Sequence, residues 1–147
     1  MKKQDLTSFY LEALLLVAVF VAMILVLTGV FGAARAQSRH ARELTGAVTL
    51  SSNAAEAAAG ADSLEELAAL LDEGGNVAPV PGGLEAYYRL DGSPCSHDEA
   101  ELRLTVSWET EGGERPWIQT TVAVFREGAE SALYTLETAH LGRGAAA

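Results

Sequence analysis

The sequence predicts an α+β fold: a long N-terminal helix, half membrane-embedded and half amphipathic, packed on a four-stranded antiparallel sheet. Three observations predict it. Ala13 to Ala34 contains no charged residue. Arg35 to Ala59 contains no Pro and is richest in Ala, so a helix continues without a break. Leu102, Leu104, Val106 and Trp108 alternate with Arg103, Thr105 and Ser107, which is the period of a half-buried strand.

The first element is the membrane segment. Glu12 is the only charge between Leu6 and Leu27, and Ala13 to Leu27 is unbroken apolar sequence without Pro. The uncharged run from Ala13 to Ala34 covers the roughly 30 Å hydrocarbon core at about 1.5 Å per residue. With no water to satisfy its peptide groups, such a segment spans as a helix. Lys2, Lys3 and the small-x-small triplet Ala34-Arg35-Ala36 also fit a cleaved secretory signal. The apolar run is at the long limit for that, and Glu12 interrupts its approach, so a retained anchor is expected. Lys2 and Lys3 favour a cytoplasmic N-terminus, whereas Arg35, Arg39 and Arg42 argue the other way. A seven-residue head (residues 1–7) leaves nothing to fold inside, and a large C-terminal domain translocates regardless of charge. The expected topology is a single-pass cell-membrane protein, N-terminus cytoplasmic and C-terminal domain extracytoplasmic.

Residues 8–34 are thus read as the transmembrane helix and 35–60 as its amphipathic continuation. Leu44, Val48, Ala55 and Ala58 recur at helical spacing as a narrow apolar stripe, and Gly60 is a stop. Read from Ser8 to Ala59, the helix is on the order of 78 Å long. In residues 61–84, Ser63-Leu64-Glu65-Glu66 has the form of a capping box. Leu64, Leu67, Leu70 and Leu71 mark one face of a short helix, and Gly74-Gly75 ends it. Asn76 to Gly83, with two Pro and two Gly, reads as a linker.

Residues 85–141 carry four expected strands: Ala86 to Leu90, the alternating run Glu101 to Glu109, Ile118 to Phe125, and Leu133 to Thr138. Asp91-Gly92-Ser93-Pro94, Gly112-Gly113 and Glu127-Gly128-Ala129-Glu130 supply the turns. Short turns between consecutive strands make a meander with one apolar face, and the Leu44/Val48 stripe is the nearest available cover. Residues 142–147 are left as a flexible tail.

Charge narrows the function. Residues 1–60 sum to +1, with five basic and four acidic groups, while residues 61–147 carry 5 Arg against 16 acidic groups and sum to -11. A domain of that charge repels phosphate backbones and anionic head groups, which argues against a nucleic-acid partner. Asp91, Cys95, His97, Asp98 and Glu99 lie close together, but their spacing matches no zinc or calcium loop, and an acidic turn explains them. Cys95 is the only cysteine, so no disulfide forms within the chain. His40 and His140 are isolated. Trp108, Trp117, Tyr87 and Tyr88 are expected in sheet core and rim rather than a ligand box. No phosphate loop, nucleophile elbow or paired-ligand motif is present, so no catalytic residue, metal site or cofactor is assigned.

The start of the helix, Ser8-Phe9-Tyr10-Leu11-Glu12-Ala13-Leu14-Leu15 behind a short basic leader, resembles the start of type IV pilins and type II secretion pseudopilins. The order of elements is similar over almost the whole chain; the specific motif spans about eight residues. The resemblance implies cleavage between Thr7 and Ser8, which makes Glu12 the fifth residue of the mature chain. The family's usual Gly before the cut is Thr7 here, and its usual Phe or Met after it is Ser8. A cut after Ser8 restores an aromatic start at Phe9 but makes Glu12 fourth. It further implies that Glu12 pairs with the α-amino group of a neighbouring subunit and sets the register of packed helices. The bland reading of Glu12 is a side chain one or two turns inside the helix that snorkels to the head groups. Gly29 and Gly32 either allow close helix contact or soften the helix. The function implied is a minor pilin-like structural subunit, partnered by other pilin-like subunits, membrane assembly machinery and the bilayer. The alternative is a single-pass anchored extracytoplasmic binding module that does not polymerise.

Overall fold

A computed structural model describes residues 2–112 and 116–142, with side chains from Ser8 onward. It is α+β. Helix α1 spans Lys2–Gly60 and helix α2 spans Leu64–Leu71. The strands are β1 (Val77–Val80), β2 (Gly83–Tyr88), β3 (Leu102–Glu111), β4 (Trp117–Arg126) and β5 (Ala132–Leu141). The chain divides into two units, Met1–His40 and Ala41–Ala147. The first holds the apolar part of α1. The second holds residues 41–60 of α1, α2 and the sheet.

The sheet has five strands rather than the expected four, in the antiparallel order β1-β2-β3-β4-β5. The extra strand lies in the segment read as a linker. Val77 pairs with Ala86 and Val80 with Gly83, so Pro81-Gly82 is the turn of a tight hairpin. Gly82 adopts a φ of 78°, which only Gly takes without strain. Pro79 hid the strand from a reading by composition; an edge strand tolerates Pro because one of its sides needs no donors. Relative to expectation, β2 ends at Tyr88 instead of Leu90 and β5 extends to Leu141. Gly113 of the expected hairpin and residues 143–147 of the expected tail lie outside the described residues.

Alternation places one face of the sheet in the core. Leu84 faces Val106, Val106 faces Val122 and Leu104 faces Val124 across neighbouring strands, and all of them are buried. A register shift between Val124 and Phe125, opposite Tyr134 and Ala132, leaves Leu133 as an extra residue in β5, the two-against-one arrangement of a β-bulge.

The second half of α1 covers this face, but not with the expected stripe. Leu44 is 36% and Val48 41% exposed, and Ala55 is half-buried. The buried positions are Glu43, Ala47, Leu50, Ser51, Ala54 and Ala58, also at helical spacing but turned around the axis; only Ala58 belongs to both sets. The physical reason is closeness. Four of these six are Ala or Ser. A helix on a sheet whose own side chains fill the interlayer space packs densely there by presenting small residues, while Leu50 adds apolar contact and Glu43 is held by Arg126. At Gly46 a Cβ would lie 3.5 Å from Leu102 Cδ1 and 3.6 Å from the Leu90 carbonyl oxygen, which shows how near the two layers come.

Helix α2 starts at the expected cap. The Glu66 N–H donates to Ser63 Oγ at 3.2 Å. The return bond reaches one residue further back than the usual reciprocal pair, since Glu66 Oε2 accepts from the Asp62 N–H at 2.9 Å. Leu67 and Leu71 are buried in the core, Leu64 is partly buried, and Leu70 is exposed.

Candidate functional site

In the first unit the feature that carries chemistry is one carboxylate on an apolar helix. From Leu11 to Leu27 the large side chains are exposed, and the helix is long and apolar enough to cross a membrane. Helical geometry directs side chains outward all round, so an uncharged helix presents only apolar surface. Glu12 is exposed on it and makes no hydrogen bond or ion pair among the described residues. The Thr7–Ser8 bond lies within α1; Ser8 is exposed, and the side chain of Thr7 is outside the described residues. Gly29 and Gly32 have no heavy atom within 4 Å of an added Cβ. Both face open space, and a second helix could approach the backbone there. Thr28 Oγ1 donates to the Ile24 carbonyl at 2.8 Å, so the hydroxyl is satisfied within the helix.

In the second unit the loop between β2 and β3 gathers the residues of the acidic turn. Asp98 is exposed, with His97 Nδ1 3.7 Å away, and the others have neighbours of their own. Asp91 Oδ1 accepts from Ser93 Oγ at 2.6 Å and from the Ser93 N–H at 2.9 Å, and the hydroxyl contact lowers the Asp91 pKa. Glu99 is paired with Arg89. His97 stacks edge-on against Tyr87, ring centroids 4.8 Å apart. The Cys95 N–H donates to the Tyr87 carbonyl. Burial pushes the Cys95 thiol up, and Arg89 only partly offsets this, so the sulfur gains no thiolate character. No group of three or more His, Cys, Asp or Glu is gathered as metal donors among the described residues. The local pairing ties the loop down.

Of the aromatic residues, Tyr88 is buried in the core and Trp108 packs against it, while Trp117 is exposed at the start of β4. Tyr87 Oη donates to Glu85 Oε2 at 2.9 Å. Burial first, then this bond, raises the Tyr87 pKa. Tyr87 and Tyr88 are successive residues of β2 and so lie on opposite faces of the sheet. His140 lies half-buried against Trp108 at 6.1 Å, and His40 is exposed.

Two features escaped the sequence reading. Glu43 is 1% exposed and forms an ion pair with Arg126 at the end of β4. The available signal was its position one turn before Ala47 on the alanine face. The second is an apolar groove of ≈ 370 Å³ between α2 and the β1–β2 hairpin, lined chiefly by Leu64, Ala68, Val77, Pro79 and Leu84, with Glu65 and Asp72 also in its wall. It exists because β1 exists. No family model, curated protein or solved structure matches the chain.

Proposed function

We propose that the chain is a structural subunit, similar to minor pilins and pseudopilins, that joins a type IV pilus or type II secretion-type filament through its N-terminal apolar helix. The observation that carries the reading is Glu12. A carboxylate on a lipid-facing helix costs up to roughly 2.5–3.5 kcal/mol, the bilayer-centre value on insertion scales, and less one or two turns inside; a neighbour's ammonium group offsets that cost in low dielectric. Other support is architectural: one helix supplies both the apolar segment and the alanine face that carries the sheet. In this reading residues 1–7 stay cytoplasmic until removed, and the sheet unit is extracytoplasmic. A reporter fused after Ala147 is expected to be active outside the cytoplasm, with the protein resisting carbonate extraction; cytoplasmic reporter activity overturns that topology.

Substitution of Glu12 tests assembly. Glu12→Leu and Glu12→Ala are expected to insert at least as well as wild type, since a costly charge is gone. Crosslinking between subunits in the native membrane should fall at least about tenfold, one decade being about 1.4 kcal/mol of lost association. Glu12→Gln should fail as well, because an amide supplies no charge for an ammonium. Arg35→Ala should be mild. Unchanged crosslinking in Glu12→Leu returns the protein to the second reading, an anchored binding module. The groove between α2 and β1 favours that reading, because an apolar concavity of its size takes a small ligand or a partner's side chain. Intact mass separates the two further: loss of the first seven or eight residues marks leader processing, loss of about 36 marks signal peptidase, and no loss marks a plain anchor.

A further inference from the structure

The two edges of the sheet are built differently. β1 has four residues and contains Pro79, which has no N–H to offer; it is a blunted edge. β5 has ten residues, no Pro and a single charged residue, Glu137, and no strand pairs with its outer side among the described residues. The Gly142 N–H donates to the Pro116 carbonyl at 2.8 Å. That bond sets the alternation, in which Thr138 and His140 hydrogen-bond toward β4 while Thr135, Glu137, Ala139 and Leu141 direct their peptide groups away from it. All four outward residues are exposed.

The core also stops short at this edge. Ile118, Thr120, Val122 and Val124 on β4 are buried, whereas their cross-strand neighbours His140, Thr138, Leu136 and Tyr134 are only half-buried. A further strand would cover the open flank of those four side chains.

We infer that the β5 edge is a strand-addition site: it takes an extended segment of another protein, apolar at the positions beside Leu136 and Tyr134, with a Lys or Arg opposite Glu137. Charge complementarity selects the occupant. Glu137 has Thr121 as its cross-strand neighbour and Ser107 beyond that, so no cation answers it from within the sheet. A second copy is disfavoured because it brings together two units that each sum to -11 over residues 61–147, and like charges opposite one another destabilise a pair of strands. Backbone pairing supplies the affinity and alternate side chains the selectivity. The site is independent of Glu12 and of helix-mediated assembly.

The test uses the full chain in detergent micelles and three ten-residue peptides, with amide hydrogen exchange read residue by residue. One peptide alternates Val and Thr with a central Lys, the second carries Glu in place of that Lys, and the third is the Ala132–Leu141 sequence. The Lys peptide is expected to slow exchange at Thr135, Glu137, Ala139 and Leu141 by about tenfold or more. Ala139→Pro removes only an outward donor, so it should keep the melting transition and abolish the protection. Glu137→Lys should reverse the preference between the Lys and Glu peptides, a readout that does not depend on the Pro variant folding. Unchanged exchange with about 1 mM Lys peptide, protection that survives Ala139→Pro, or a preference indifferent to Glu137→Lys overturns the site. Protection by the Ala132–Leu141 peptide equal to that of the Lys peptide overturns the heterologous occupant.

Discussion

Val106→Asp is expected to unfold the sheet unit at ordinary temperatures. Val106 is 2% exposed, with Leu84 on one side and Val122 on the other. A carboxylate there has no cation beside it, since both cross-strand neighbours are apolar and Arg126 is already paired with Glu43, and an uncompensated buried charge costs roughly 3–5 kcal/mol. A domain of this size loses on the order of 4–8 °C in Tm per kcal/mol, which puts the loss above about 12 °C. Thr105 is the contrast. It is one residue away, on the opposite face, where its hydroxyl reaches the Ala123 carbonyl only at 3.4 Å. Thr105→Asp should cost under about 1 kcal/mol. Trp108 and Trp117 are the only tryptophans and both lie in the sheet, so a fluorescence melt of the full chain in detergent reports this unit directly. Equal losses for the two variants would contradict the assigned face.

The second large effect comes from a methyl group. At Gly83 an added Cβ would lie 1.9 Å from the Val106 carbonyl oxygen and 3.0 Å from its carbon. Both atoms belong to the backbone of β3, which is held on its far side by β4, so neither strand can yield cheaply. Gly83→Ala is expected to cost about 3 kcal/mol or more, the upper end of overpacking, and to separate β2 from β3 around the Gly83–Ser107 pair. Gly82→Ala should be milder at roughly 1–2 kcal/mol, because Gly82 needs its left-handed φ but has nothing within 4 Å of the added atom. Melting of the two variants by tryptophan fluorescence orders them. A larger loss at Gly82 than at Gly83 would mean that the close approach relaxes without strain.

These glycines separate what a sequence conveys from what it does not. Pro81-Gly82 was legible only as a break in regular structure within an expected linker; the local backbone constraint at Gly82 was in the sequence, but the hairpin it closes was not. Gly83 carries no such signal; its constraint is a carbonyl more than twenty residues away. Glu12 was legible for the first reason, since a lone acid in an apolar run stands out by composition alone. Glu43 was not, because its burial and its ion pair with Arg126 depend on which face of α1 meets the sheet.

The face of α1 shows the division most clearly. Periodicity establishes that residues 35–59 form a helix with an inner side, but the apolar stripe it marks, Leu44, Val48, Ala55 and Ala58, coincides with the buried side only at Ala58. The sheet instead covers a face turned around the axis, mostly Ala and Ser (Ala47, Ser51, Ala54 and Ala58) with Leu50 and the paired Glu43, and leaves Leu44 and Val48 exposed.

By itself the sequence determined the apolar helix, the capped short helix, the alternating strands and their order, because each follows from covalent neighbours and from periods of 3.6 and 2. Only the tertiary structure decided the strand at Val77–Val80, the face of α1 in the core and the unlike edges of the sheet. Those depend on which surfaces can approach closely enough to exclude water, and that is a property of two elements together rather than of either alone.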